Sequence, residues 1–168
     1  MRFPDPDAYQ EIAVLSDFDG VISHCNVLIK LYDKYSKVDW RHYVSLWEKE
    51  ELSAVEEIPC CLEGVRVDRT RMESFLNGID LEKDFRTLYD YCEKENHYLA
   101  ILSDGLRWYI EYLIKQIDIS NLPIFANEIH FTDQGLSFSF PWYDEITPLT
   151  GTSKASIIRR IQRLGHRV

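Results

Sequence analysis

The chain has 168 residues, 45% hydrophobic and 13% aromatic, which suffices for one packed core with a modest insertion and excludes a disordered polymer. Its net charge of −9 leaves no basic footprint for nucleic acid or an anionic membrane, so an anionic substrate needs a local lysine, arginine or metal ion. Residues 1–7 have no apolar stretch of signal-peptide length and no later run could span a bilayer, which predicts a soluble cytoplasmic protein. The four cysteines, Cys25, Cys60, Cys61 and Cys92, are then expected to be free, buried thiols, because the Cys60-Cys61 pair has no second pair or histidine at ligand spacing.

In chain order, Ile12 to Leu15 is an apolar run that predicts a strand buried on both faces, as in a parallel sheet. It ends in Asp17-Phe18-Asp19-Gly20. Residues i and i+2 of an extended segment point the same way, so both carboxylates fall on one side of the strand tip, and Gly20 permits a sharp turn. In open α/β sheets the carboxyl ends of the strands are where ligands bind. Two adjacent carboxylates repel unless a cation or a shared proton intervenes, and a divalent metal is the simplest remedy. The competing reading makes them solvated caps of the next helix.

Helices are predicted from Asn26 to Ser36, around Trp40 to Trp47 and from Arg69 to Leu76, with an acidic helix or turn near Glu48 to Glu57 and a break at Pro59. Glu82 to Asn96 reads as a helix leading to a second buried strand, Tyr98 to Leu102, which closes on Ser103-Asp104-Gly105. The two strand tips are expected side by side. A helix from Leu106 to Ile117, a third strand from Leu122 to Ala126, Asn127 and a hairpin about Asp133-Gln-Gly135 follow. This strand-helix-strand order implies right-handed crossovers and a parallel sheet. Gly151-Thr-Ser-Lys154 then opens an amphipathic helix with Ser153 as cap, and a lysine in the first turn opposes the helix dipole unless an anion lies nearby.

The segment Asp17-Phe18-Asp19-Gly20-Val21 resembles the first motif of the haloacid dehalogenase superfamily of phosphohydrolases: an apolar strand, Asp-x-Asp-Gly, then Val or Thr. Ser103 is similar to the second motif and Lys154, within Gly-x-x-Lys, to the third. The resemblance implies that Asp17 is the nucleophile, that Asp19 is the general acid and base, and that Ser103, Asp104, Gly105 and Lys154 hold the phosphoryl group. It also implies a Mg2+ ion on the Asp17 carboxylate and the Asp19 carbonyl, and a small phosphorylated metabolite as substrate. The implied fold is α/β, a Rossmann-like parallel sheet core over 1–24 and 81–168 with a small helical cap, 25–80, inserted after the first strand. The resemblance extends to the phosphoserine phosphatase-like branch and its methionine-salvage phosphatases, in which Asn127 is a further site candidate; His24, Arg107 and Trp108 are candidate pocket residues, with His24 and Arg107 equally readable as ordinary surface groups.

The family's fourth motif, a strand ending in metal-binding acids, has no counterpart before Gly165-His-Arg-Val168. The first strand is therefore expected at an edge of the sheet, covered by an oligomer partner or belonging to a truncated enzyme. The alternatives are a non-catalytic relative used for ligand binding or assembly, a phosphotransferase, and a redox or zinc protein built on Cys60-Cys61.

Overall fold

The computed structural model describes Phe3 and residues 11–168, so the reading of residues 1–7 as lacking a signal peptide lies almost entirely outside the described residues. The sheet has the order β1-β2-β3-β4, built from β1 (Ala13–Ser16), β2 (Tyr98–Leu106), β3 (Ile124–Thr132) and β4 (Gly135–Ser139). The first three strands run parallel and β4 returns antiparallel to β3. Helices α1 (Val27–Tyr35), α2 (Trp40–Glu48), α3 (Ala54–Cys61), α4 (Arg69–Leu76) and α5 (Asp84–Lys94) lie between β1 and β2 in the chain. Helix α6 (Arg107–Lys115) joins β2 to β3, and α7 (Lys154–Arg163) follows β4.

Alternation along β2 gives the sheet two apolar faces. Leu99 and Ile101 join Ile124, Ala126, Leu113 and Ile110 in the larger core. Tyr98, Ala100 and Leu102 turn to the other face, where Ile157 and Ile161 of α7 cover them with Ala13 and Phe125. Each such fully buried aliphatic side chain contributes about 1.5–3 kcal/mol. The result is helix, sheet and helix, the α/β architecture expected of alternating strands and helices. No helix among the described residues is long and apolar enough to cross a membrane.

Four local expectations are corrected. In β1 only Ala13 is buried, because the strand lies at the sheet edge, where Arg167 makes a single parallel bridge with Ile12. Its amide donates to the Glu11 carbonyl at 2.5 Å, and the Ala13 amide donates to the Arg167 carbonyl at 2.8 Å. Pro59 does not break α3, which runs two residues further to Cys61 and starts from a capping box between Ser53 and Glu56. The third strand does not stop at Ala126: β3 is one strand that pairs with β2 in its first half and with β4 in its second. Cys25 and Cys60 are half-buried rather than buried, although all four cysteines are free thiols.

Candidate active site

The site forms where β1 and β2 end. After Ser16 the chain folds back on the Phe18 carbonyl, which accepts hydrogen bonds from the amides of Val21, Ile22 and Ser23 at 3.2, 2.9 and 3.0 Å. Gly20 supports this turn with φ of +76°, a left-handed conformation that suits glycine. Phe18 is completely buried and packs against the Tyr109 ring at 5.9 Å. With Phe18 anchored inward, Asp17 and Asp19 both line one cavity, as alternation along an extended segment requires.

Asp19 is held at both carboxyl oxygens. Its Oδ1 accepts the amide hydrogen of Val27, the first residue of α1, at 2.7 Å. Its Oδ2 accepts the hydroxyl of Tyr109 at 2.5 Å. Capping and site formation are thus the same arrangement. Burial raises the Asp19 carboxyl to about 6, with the Asp17 charge adding to the rise while Tyr109, Val27 and Lys154 pull against it. Asp17 receives the Phe18 amide on Oδ1 at 2.7 Å and the Lys154 ammonium on Oδ2 at 2.6 Å. That ion pair joins residues at opposite ends of the chain, and it accounts for a lysine at the first position of α7.

The second strand tip is displaced toward the site. Leu102 pairs with Phe125 and Leu106 with Asn127, so four steps along β2 match two along β3, and Ser103-Asp104-Gly105 bulges out of the ladder. Ser103 is 1% exposed yet lines the cavity, and its Oγ accepts the Gly105 amide at 3.0 Å. It does not cap α6, whose cap position is Leu106. Asp104 accepts the Thr152 amide on Oδ1 at 2.9 Å, and burial raises its carboxyl above the ordinary range. Gly105 admits its neighbours: a Cβ there would collide with the Tyr109 hydroxyl and stand 2.8 Å from Asp19 Oδ2.

Asn127 lies behind the site rather than in it. Fully buried, it donates to the Asp104 carbonyl at 2.6 Å and accepts the Thr152 hydroxyl at 3.1 Å, tying β3 to the β2 tip and to the turn before α7. The other pocket candidates do not line the cavity. His24 pairs with Glu82 at 3.5 Å, Arg107 with Glu128 at 2.8 Å, and Trp108 donates to Glu73 at 3.1 Å.

The cavity has a volume of about 200 Å³. Its polar end holds Asp17, Asp19, Ser103, Asp104, Gly105 and Lys154. Its walls are Leu28, Ile29, Val44, Trp47, Ala54 and Ile58 from the helices between β1 and α5, with Asn26, Tyr32 and Glu57 among them. The loop before α7 holds those helices near the site: the Leu149 carbonyl accepts the Ala54 amide at 3.0 Å and the Trp47 indole at 3.3 Å. Among the described residues no three His, Cys, Asp or Glu side chains converge on a metal position. Magnesium normally takes only one or two carboxylates and completes its shell with phosphate oxygens and water, so the hard oxygen donors at Asp17 and Asp19 fit an ion shared with a substrate. The Asp19 carboxyl oxygens are engaged by Val27 and Tyr109, which leaves its main-chain carbonyl as the donor in question.

No family model matches the chain. A curated 2-hydroxy-3-keto-5-methylthiopentenyl-1-phosphate phosphatase from Brevibacillus brevis is 21% identical over 163 residues, spanning 94% of this chain and 72% of the relative. Among solved structures, a phospho-aspartyl intermediate analogue of phosphoserine phosphatase superposes with a TM-score of 0.67 at 13% identity, over 94% of this chain and 74% of that one. A haloacid dehalogenase family hydrolase from Salmonella enterica serovar Typhi superposes with a TM-score of 0.70 at 12% identity, covering 98% of this chain and 55% of the other. The chain therefore shares its α/β fold with these solved structures. The curated relative and both solved structures are thus a phosphatase, a phosphatase intermediate analogue and a hydrolase that this chain resembles over nearly its whole length.

Proposed function

We propose that the chain hydrolyses a small phosphomonoester in two displacements at Asp17. The observation that carries this reading is the meeting of Asp17, Lys154 and a raised Asp19 at adjoining strand tips. An Asp17 carboxylate oxygen attacks phosphorus, the bond from phosphorus to the leaving oxygen breaks, and Asp19 gives its proton to the departing alkoxide. Asp19, now ionised, takes a proton from water, the water oxygen attacks the same phosphorus, and inorganic phosphate leaves with the Asp17 carboxylate restored. A carboxyl group near 6 is suited to both duties, because it holds and releases a proton close to neutral pH.

Lys154 and the Ser103 hydroxyl hold the phosphoryl oxygens, where fixed donors act on charge that develops in the transition state. Ser103 uses an acceptor site on the Gly105 amide and keeps its O–H for the ligand. The Asp17 carboxylate and the Asp19 main-chain carbonyl would hold a magnesium ion, which would supply charge neutralisation between nucleophile and phosphate. Residues 25–80 act as a cap that closes the apolar part of the cavity over the substrate, with residues 1–24 and 81–168 as the catalytic core. The curated relative's methylthiopentenyl phosphate supports a phosphorylated metabolite with an apolar portion. A phosphotransferase would use the same first displacement and differ only in the acceptor.

The test is turnover of an aryl phosphate with and without magnesium, in the chain and in Asp17→Asn. Activity that requires both the ion and Asp17 supports the reading; activity that survives Asp17→Asn overturns it.

A further inference from the structure

The cavity contains a second buried acid that the proposed reaction does not use. Glu57, on α3, is 5% exposed and lines the cavity from the side of the inserted helices. Its Oε2 accepts the hydroxyl of Tyr32 at 3.2 Å, and its Oε1 accepts the thiol of Cys61 at 3.2 Å. Tyr32 is itself 1% exposed and lines the same cavity. Among the described residues no lysine, arginine or histidine pairs with Glu57, so a carboxyl group has been taken out of water without a cation.

Such an arrangement is unfavourable in a sealed core but makes sense in the wall of a binding cavity. Each Glu57 oxygen accepts one protein hydrogen bond, whereas an ionised carboxylate offers about four acceptor sites in all. Acceptor capacity therefore remains for a ligand. Lys154 is the one cation among the described residues that line the cavity, and it is engaged by Asp17. A second negative charge on the ligand, placed near Glu57, would meet a like charge and find no partner.

We propose that Glu57, oriented by Tyr32 and Cys61, is a specificity residue that accepts a hydrogen bond from a hydroxyl or ammonium on the organic part of the substrate and excludes phosphomonoesters bearing a carboxylate there. This deepens the phosphatase reading and rests on it for the orientation of the ligand, with phosphate at the strand tips and the organic part between the apolar walls. It separates this chain's substrate class from zwitterionic amino-acid phosphates, whose carboxylate would meet no further cation among the described residues that line the cavity.

The experiment is calorimetric binding of four phosphonates that are not hydrolysed: 3-hydroxypropyl-, 3-aminopropyl-, butyl- and 3-carboxypropylphosphonate. The expected result is that at least one of the hydroxyl and amino probes binds about tenfold or more tightly than butylphosphonate, with the carboxyl probe weakest, as a hydrogen bond to a charged group implies. The two donor-ended probes distinguish hydroxyl from ammonium recognition. In Glu57→Gln the ammonium preference collapses and the carboxyl probe gains affinity, while in Glu57→Leu neither donor group is preferred over the butyl group. A wild-type order indifferent to the distal group, or an order unchanged in Glu57→Leu, overturns the proposal. Turnover of an aryl phosphate that depends on Asp17 is measured beside it, so that failure of the phosphatase reading registers separately from failure of the Glu57 assignment.

Discussion

The Tyr109 hydroxyl donates to Asp19 Oδ2 at 2.5 Å, across 90 residues of sequence. Tyr109 is completely buried, and burial beside a carboxylate holds its phenol well above the ordinary range, so it remains a donor through neutral pH. The bond positions the carboxyl that the proposed mechanism uses as acid and base. It also stabilises the ionised form, opposing the rise that burial causes.

Tyr109→Phe removes this donor while keeping the ring that packs on Phe18. The Asp19 carboxyl is expected to move upward from about 6 by about one pH unit, the equivalent of one hydrogen bond of roughly 1.4 kcal/mol. The limb of the kcat/KM profile governed by Asp19 should move to higher pH with it. A profile that stays in place, with only a lower melting temperature, would make Tyr109 a packing residue.

Asp19 also couples folding to pH. Its folded value, about 6, lies above the ordinary 3.8, so its contribution to stability is complete below 3.8 and is lost as pH rises through about 6. Asp19→Asn removes that dependence. Relative to the parent chain, the variant should gain on the order of 2 kcal/mol between pH 4 and pH 8, read from denaturant unfolding at both. A parallel pH dependence in the two chains would contradict the assignment.

Gly105→Ala should be damaging although the residue lies in a loop-like bulge. The added methyl collides with the Tyr109 hydroxyl and crowds Asp19 Oδ2, so one of the two must leave its position. Overpacking of this kind costs about 1–3 kcal/mol. The expected outcome is a lower melting temperature together with an altered pH profile, and Gly105→Ala combined with Tyr109→Phe should recover part of the stability.

Lys154→Met keeps the length of the side chain and deletes the charge that faces Asp17 at 2.6 Å. If the lysine holds transferring phosphoryl oxygens, kcat falls by about 10²–10³, the loss typical of one preorganised donor. An effect confined to KM would assign the lysine to ground-state binding alone.

The parts legible in the sequence are those determined locally. Asp17 and Asp19 share a side because they are two apart on an extended segment, and Ser153 caps α7 within its own turn. Lys154 was legible because a cation in a first helical turn needs an anion, although the identity of that anion required the fold. The role of Tyr109 was not legible, since its position on an aromatic helix reads as core packing and its partner is remote in sequence. The only local sign was Gly105, four residues earlier, whose missing Cβ makes the space. Glu57 was likewise hidden at the end of the acidic stretch from Glu48 to Glu57, which reads only as a helix or turn. The length of β3 escaped notice because Asn127 and Glu128 interrupt its apolar run, and both are accommodated by pairing on either side.

The central claim is that Asp17 becomes phosphorylated. With an aryl phosphate, whose leaving group needs no proton, Asp19→Asn slows the second displacement more than the first and should let the phosphorylated chain accumulate. Rapid acid quench followed by mass spectrometry of the peptide containing Asp17 tests this directly. The account predicts one added phosphoryl group on Asp17, absent from Asp17→Asn and absent without substrate. Turnover in the parent chain with no phosphoryl group trapped in Asp19→Asn, or with the group on another residue, would contradict it.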